Sequence, residues 1–247
     1  WSATGDTFDP KATAATWRSV KAGGGVTIGT LLHLAKEHGF TLPKPDQAPA
    51  AQSPEALAPR ERERAEARQR EQARTEAAHA RAAAEAAALW AQASDQGESA
   101  YLTRKGVQAY ALRFSADGRV LVPLRDERGE LRNLQTINAS GEKRFLPGGP
   151  KSGLWHWCGT PEGAPVLAVC EGYATAASVH QATGYPTACA FDCGNEKPVA
   201  RTLRKLYQAA LIVVCGDDDK ATETRTGTNP GRVKAEAAAR AVQGLAV

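Results

Sequence analysis

No stretch of the 247-residue sequence approaches the run of about 18 apolar residues that a membrane-spanning helix needs, so no membrane partner is expected. The first residues lack the basic start and apolar run of a secretory signal. Methionine is absent and the chain begins at Trp1, which reads as a piece of a longer protein. At the other end Leu245-Ala246-Val247 reads as the start of a strand, so the cut there is expected to fall inside a domain. Cysteine is sparse: the five residues at 158, 170, 189, 193 and 215 are odd in number and lack disulfide-like spacing, which fits a reducing cytoplasm. Cys189 and Cys193 lie four apart with no second pair and no histidine in zinc spacing, so they read as buried thiols.

What is present is unevenly spread. The hydrophobic fraction is 42%, enough for a buried core. A net charge of +4 permits an anionic partner without demanding one. Residues 1–43 read as a small helical unit: Asp9-Pro10 starts one helix, and a second runs from near Thr27 to Gly39. Residues 44–58 are rich in Pro, Ala and Gln, a linker composition. From Pro59 to about Ala93 the chain is dense in Ala, Arg and Glu, all strong helix formers. With no apolar stripe before Leu89 and Trp90, this run (44–97 with its linker) is expected to be a solvated spacer helix.

Residues 98–160 change character to α+β. Val120–Leu124 and Leu131–Ile137 read as strands of a hairpin closed by Asp126-Glu127-Arg128-Gly129. Residues 161–247 alternate strand and helix. Strands are expected at Val166–Cys170, Thr187–Phe191, Leu211–Cys215 and from Leu245. Helices are expected over 172–182, 197–207 and from Asn229-Pro230-Gly231 to about Val242. The fold class is α/β, a Rossmann-like, doubly wound parallel sheet.

Two of those strands end in carboxylates: Val169-Cys170-Glu171-Gly172 and Val214-Cys215-Gly216-Asp217-Asp218-Asp219. Open α/β sheets bind ligands beyond the carboxyl ends of their strands. Glu171 and the Asp cluster are therefore expected at one rim, where a hard divalent cation, Mg²⁺ or Mn²⁺, relieves their mutual repulsion.

These residues also carry a family resemblance. Glu171-Gly172-Tyr173-Ala174-Thr175-Ala176 is similar to the EGYATA motif of primases from conjugative plasmids and satellite phages. With Asp217 and Asp219 it resembles the toprim fold of bacterial primases, topoisomerases and some nucleases, which implies Asp217 and Asp219 as metal ligands, Glu171 as a ligand or acid–base group, and Asp218, its side chain expected to turn away, as the lesser candidate. Val122-Pro123-Leu124-Arg125-Asp126-Glu127-Arg128-Gly129 resembles the first catalytic subdomain of bacterial replicative primases, and residues 1–40 resemble a primase C-terminal helical module of mobile-element proteins. Thr175 stands where replicative primases often carry a further acid. No zinc ribbon and no GxxxxGK[ST] helicase motif occurs in the chain.

The resemblance implies a metal-dependent DNA primase core that builds short primers from nucleoside triphosphates on a single-stranded DNA template, with a replicative helicase as a further partner. Arg104, Lys105, Arg125, Lys143, Arg144 and Lys151 are the candidate contacts to template and triphosphate; Gly148–Gly153 is a loop whose N–H groups can approach phosphate. Trp155, His156 and Trp157 read as buried against the sheet rather than as a stacking platform for bases, and His180 as the end of a helix face. The rival readings are a toprim nuclease using the same acids and a non-catalytic DNA-binding module.

Overall fold

The structure, a computed structural model, describes residues 28–37, 39 and 54–247. The helix expected at Asp9-Pro10 lies outside them. The chain divides into two compact units, 1–63 and 64–247. In the first, helix α1 (Ile28–Glu37) occupies the stretch expected for the second helix, with Lys36 in its last turn, where a cation suits the helix dipole.

Helix α2 (Pro54–Gln92) is 39 residues long. From Glu61 to Ala77 nearly every side chain is exposed, as a spacer would be. Its last turns depart from that expectation. Ala82 and Ala86 are buried, and Ala86, Leu89, Trp90 and Ala93 pack on Leu121, Leu134 and Leu146. The inward face is built largely of alanine, so it lacks the large apolar residues that mark a stripe in sequence, yet it lets the helix lie close to the sheet.

That sheet is antiparallel, in the order β1 (Arg113–Phe114), β2 (Val120–Arg125), β3 (Leu131–Ile137), β4 (Lys143–Phe145). The β2–β3 turn is held by the Asp126 carboxylate, which accepts from the N–H groups of Arg128 and Glu130, both at 3.0 Å. A short helix, α3 (Ala100–Lys105), precedes the sheet. Ser99 caps its start and Gly106, in the left-handed region at φ 65°, ends it.

The second sheet has the order β5-β7-β6-β8-β9: β5 (His156–Cys158), β6 (Val166–Cys170), β7 (Thr187–Cys189), β8 (Leu211–Cys215), β9 (Leu245–Ala246). Strands β6 to β9 are parallel. Strand β5, absent from the sequence reading, adds to β7 antiparallel, so this sheet begins before residue 161. Helices α4 (Tyr173–Thr183), α5 (Glu196–Leu206), α6 (Lys220–Thr226) and α7 (Pro230–Arg240) complete the alternation; α6 has no counterpart in the sequence reading.

Val199, Ala200 and Leu203 of α5 and Ala235, Ala238 and Ala239 of α7 pack on Val169, Ala188, Ile212 and Val214. The alternate residues of the same strands, Cys170 and Cys189, share a core with Tyr173, Ala176 and Ala177 of α4. That core continues into Val120, Val122, Leu124 and Ile137 of the first sheet, so one apolar interior joins the two sheets. Tyr173, the tyrosine of the EGYATA stretch, ties them further. It is fully buried, and its hydroxyl donates to the Gln108 carbonyl (2.7 Å) and accepts from the Tyr110 N–H (2.8 Å). Trp155 and His156 are buried as expected, and Trp157 is half-buried. His156 Nε2 donates to the Tyr110 carbonyl at 2.8 Å, and burial lowers its pKa to about 4, so the ring is neutral.

Candidate active site

Parallel pairing brings the acids to one edge. Cys170 and Cys215 are register partners, so β6 and β8 end level with each other, and each strand is followed by its carboxylate, Glu171 or Asp217. Strand β7 lies on the other side of β6 with Cys189 level with Cys170, and its continuation carries Asp192. Asp192 is not among the acids expected at this rim, although its signal is of the same kind: an apolar strand followed closely by a carboxylate.

Glu171 is half-buried. Burial raises its carboxyl pKa first, followed by the charges of Asp217 and Asp192 and then Asp219; Lys143 acts in the opposite direction. The acids therefore lie within each other's fields. The backbone of Asp217 is clamped from below. A methyl group on Gly231, in the first turn of α7, would overlap the main-chain oxygen of Asp217, so only glycine allows this approach. Asp219 caps α6, its Oδ1 accepting from the Thr222 N–H at 3.1 Å, and hydrogen bonding to Thr222 holds its carboxyl below the usual range. Asp218 points to α7, where it accepts from Asn229 (2.9 Å) and Arg232 (3.0 Å).

Among the described residues, no three acidic, imidazole or thiol side chains are already drawn together as a metal cage. The acids form an open arc of oxygen donors. The thiol beside Glu171 is engaged elsewhere: Cys189 donates to the main-chain oxygen of Glu171. An all-oxygen arc fits a hard divalent cation, above all one that keeps waters and binds through one or two carboxylates plus phosphate.

The six candidate basic residues separate. Lys143 reaches the rim: its Nζ lies 3.4 Å from where a methyl on Gly172 would stand. Lys151 is there too, paired with Asp192 at 3.1 Å. Arg144 follows Lys143 in a strand and so faces away, bonded to Glu142 at 2.7 Å. Arg104 and Lys105 end α3, Arg104 donating to the Ala139 carbonyl at 3.0 Å. Arg125 donates to the Gly129 carbonyl, stacks on Trp90 with 5.6 Å to the ring centre, and lines a cleft of about 350 Å³ with Trp155, Trp157 and Tyr207.

Two residues where the chain from β7 enters α5, Asn195 and Glu196, are not evident from the sequence alone. Asn195 is buried, and its amide is fully used: Nδ2 donates to the carbonyls of Lys151, Leu154 and Ala190, and Oδ1 accepts from the Gly153 N–H. It thereby fastens the Gly-rich loop that follows the first sheet to the rim of the second. Glu196 follows, buried with neither carboxylate oxygen bonded. Desolvation chiefly, then the charges of Glu171 and Asp217, push its pKa up to about 8.

That shift predicts a pH dependence. Between about 4.5, where a free glutamate titrates, and about 8, the folded chain holds a proton that the unfolded chain releases. The stability gained from holding that proton is present below this window and is lost as pH rises through it, at up to about 1.4 kcal/mol per pH unit. Urea midpoints in metal-free buffer should fall from about pH 5.5 to about pH 8.5, and Glu196→Gln should remove most of the slope. An unchanged slope in the variant would assign it to other groups.

A parallel α/β sheet with Glu-Gly after one strand and Asp-x-Asp after its neighbour has the features of a toprim domain. Residues 166–247 match the family model described as "Toprim domain", and residues 1–35 match that of "Primase C terminal 2 (PriCT-2)". Two relatives named DNA primase TraC, from Escherichia coli, are 41% and 40% identical to this chain over 152 residues. The aligned stretch is 60% of this chain but only 10% and 14% of the two relatives. Among solved structures, the primase fragment of the bacteriophage T7 primase-helicase protein overlaps with a TM-score of 0.44 at 17% identity, covering 59% of this chain and 62% of that one. The DnaG catalytic core overlaps with a TM-score of 0.34, also at 17% identity, covering 56% and 44%.

Proposed function

We propose that this chain carries the catalytic core of a DNA primase, extending short primers from nucleoside triphosphates along single-stranded DNA. The reading rests above all on the Glu171, Asp217 and Asp219 arc at the edge of a toprim sheet that shares its core with a basic antiparallel sheet. In the reaction the primer 3′ hydroxyl attacks the α-phosphorus of the incoming triphosphate. A new P–O bond forms, the bond to the bridging oxygen breaks, pyrophosphate leaves, and the hydroxyl proton departs. Asp217 and Asp219 would hold Mg²⁺ or Mn²⁺, which when bound supplies charge neutralisation at the phosphates and lowers the hydroxyl pKa.

Glu171 serves either as a further ligand or as the proton acceptor. The two are separable: loss of a ligand raises the metal concentration needed for half activity, whereas loss of a base changes the pH profile. Gly172 starts α4 in an extended conformation with no side-chain cap, leaving first-turn N–H groups free to meet phosphate. Lys143 and Lys151 offset the acidic arc, which alone would repel a polyanion. The template and a replicative helicase are the expected macromolecular partners.

The test is incubation with single-stranded DNA, labelled triphosphates and Mg²⁺ or Mn²⁺. Labelled oligomers are expected. Shortened DNA would instead indicate a nuclease, and binding without either product a non-catalytic module. Neutralising Lys143 and Lys151 together should flatten the salt dependence of single-stranded DNA binding, by about 0.7 log units per log unit of salt for each phosphate that is no longer neutralised. The control Arg144→Gln, on the opposite face of β4, should leave the slope alone. Equal slopes for the double variant and the parent would remove both lysines from the template path.

A further inference from the structure

The buried glutamate at the start of α5 has no use in a purely structural account. Glu196, Val199, Ala200 and Leu203 are the buried residues of this helix, spaced i, i+3, i+4 and i+7. Glu196 is therefore the first residue of the helix's inward stripe, and its carboxylate is directed at the sheet rather than at solvent. It is 1% exposed, and neither oxygen has a hydrogen-bond partner. The carboxylates that press on it hardest are Glu171 and Asp217, with Asp192 behind them. A helix N-terminus compensates a nearby carboxylate only weakly, far short of what burying an unpaired one costs. An apolar side chain of similar volume would close the same gap without that cost.

We propose that Glu196 is a further carboxylate ligand of the divalent-cation site, reaching it from the α5 side of the Glu171–Asp217 edge. A hard cation accounts for what the structure leaves open: it gives both unbonded oxygens a partner and compensates several carboxylates at once. It also ties the cation to the segment that follows β7. Asp192 and Asn195 of that segment already hold the Lys151–Leu154 loop, so cation binding and the position of this basic loop become linked. The inference rests on the cation-dependent reading of the rim, and the test separates the two.

Mn²⁺ binding to the full chain is measured by electron paramagnetic resonance and calorimetry for the parent, Glu196→Gln and Glu171→Gln, with primer synthesis scored in parallel. Glu196→Gln should weaken Mn²⁺ binding by about 10-fold or more, since losing even a group that only supports a ligand costs that much. Without metal at about pH 8 it should be at least as thermostable as the parent, an outcome that a structural hydrogen-bonding role would not give. Parent-like Mn²⁺ affinity in Glu196→Gln would overturn this inference and leave the primase reading intact. A parent that binds no Mn²⁺ would overturn both. Should the variant fail to fold, crystals of the parent grown with Mn²⁺ decide. An anomalous peak within bonding distance of a Glu196 oxygen supports the assignment, and a peak held by Glu171 and Asp217 without Glu196 refutes it.

Discussion

Glu171→Gln should lower primer synthesis by about a thousandfold or more while leaving the folded chain intact. The substitution keeps shape and removes charge. Metal-assisted phosphoryl chemistry draws several kcal/mol from charges placed around the reacting phosphate, and each step of about 1.4 kcal/mol is a factor of ten. Glu171 sits at the centre of the acidic arc, one strand from Asp217 and one from Asp192, so no neighbouring carboxylate occupies its place. The fold should not suffer, since neutralising this residue relieves the repulsion that raises its pKa. Primer yield from purified variant and parent, with circular dichroism to confirm folding, is the measurement. Synthesis within about tenfold of the parent would show that the chemistry lies elsewhere.

Asn195→Ala should cost about 3–5 kcal/mol of stability. One side chain serves four main-chain groups: the two hydrogens of its Nδ2 are shared among the carbonyls of Ala190 (2.8 Å), Leu154 (2.9 Å) and Lys151 (3.0 Å), and its Oδ1 accepts from the Gly153 N–H (2.6 Å). Truncation strands main-chain groups in a site that is 4% exposed, each at about 1–3 kcal/mol where water cannot replace the lost partner. The variant should also free the Lys151–Leu154 loop, so faster amide exchange at Gly153 and Leu154 is expected alongside a lower urea midpoint. A loss under about 1 kcal/mol would mean that water enters and restores the bonds. The loop would then be held by its flanking strands.

Much of this protein follows from local chemistry that a sequence displays. Val166–Cys170 and Leu211–Cys215 are short apolar runs closed by Glu-Gly and Gly-Asp, and they fold as the expected strands: the first is buried on both faces, the second on its Ile212 and Val214 face and partly on the other. Once parallel pairing is assumed, Glu171 and Asp217 must share an edge. Asn229-Pro230 likewise starts its helix where a capping side chain followed by proline should.

Other features were decided only by tertiary contact. The inward face of α2 is mostly alanine, too small to mark a stripe until a sheet lies against it. Lys143 and Arg144 are adjacent in a strand and must point opposite ways, yet only the packing of the first sheet on the second determines that Lys143 faces the rim. Asn195 binds partners some 40 residues away in sequence, and Glu196 is buried at a position where composition expects an exposed helix-start acid. Propensity and periodicity act over a few residues and so set the strands and helices. The charge field around a carboxylate, and the partners of a buried amide, depend on distances that exist only once the sheets have closed over their common core.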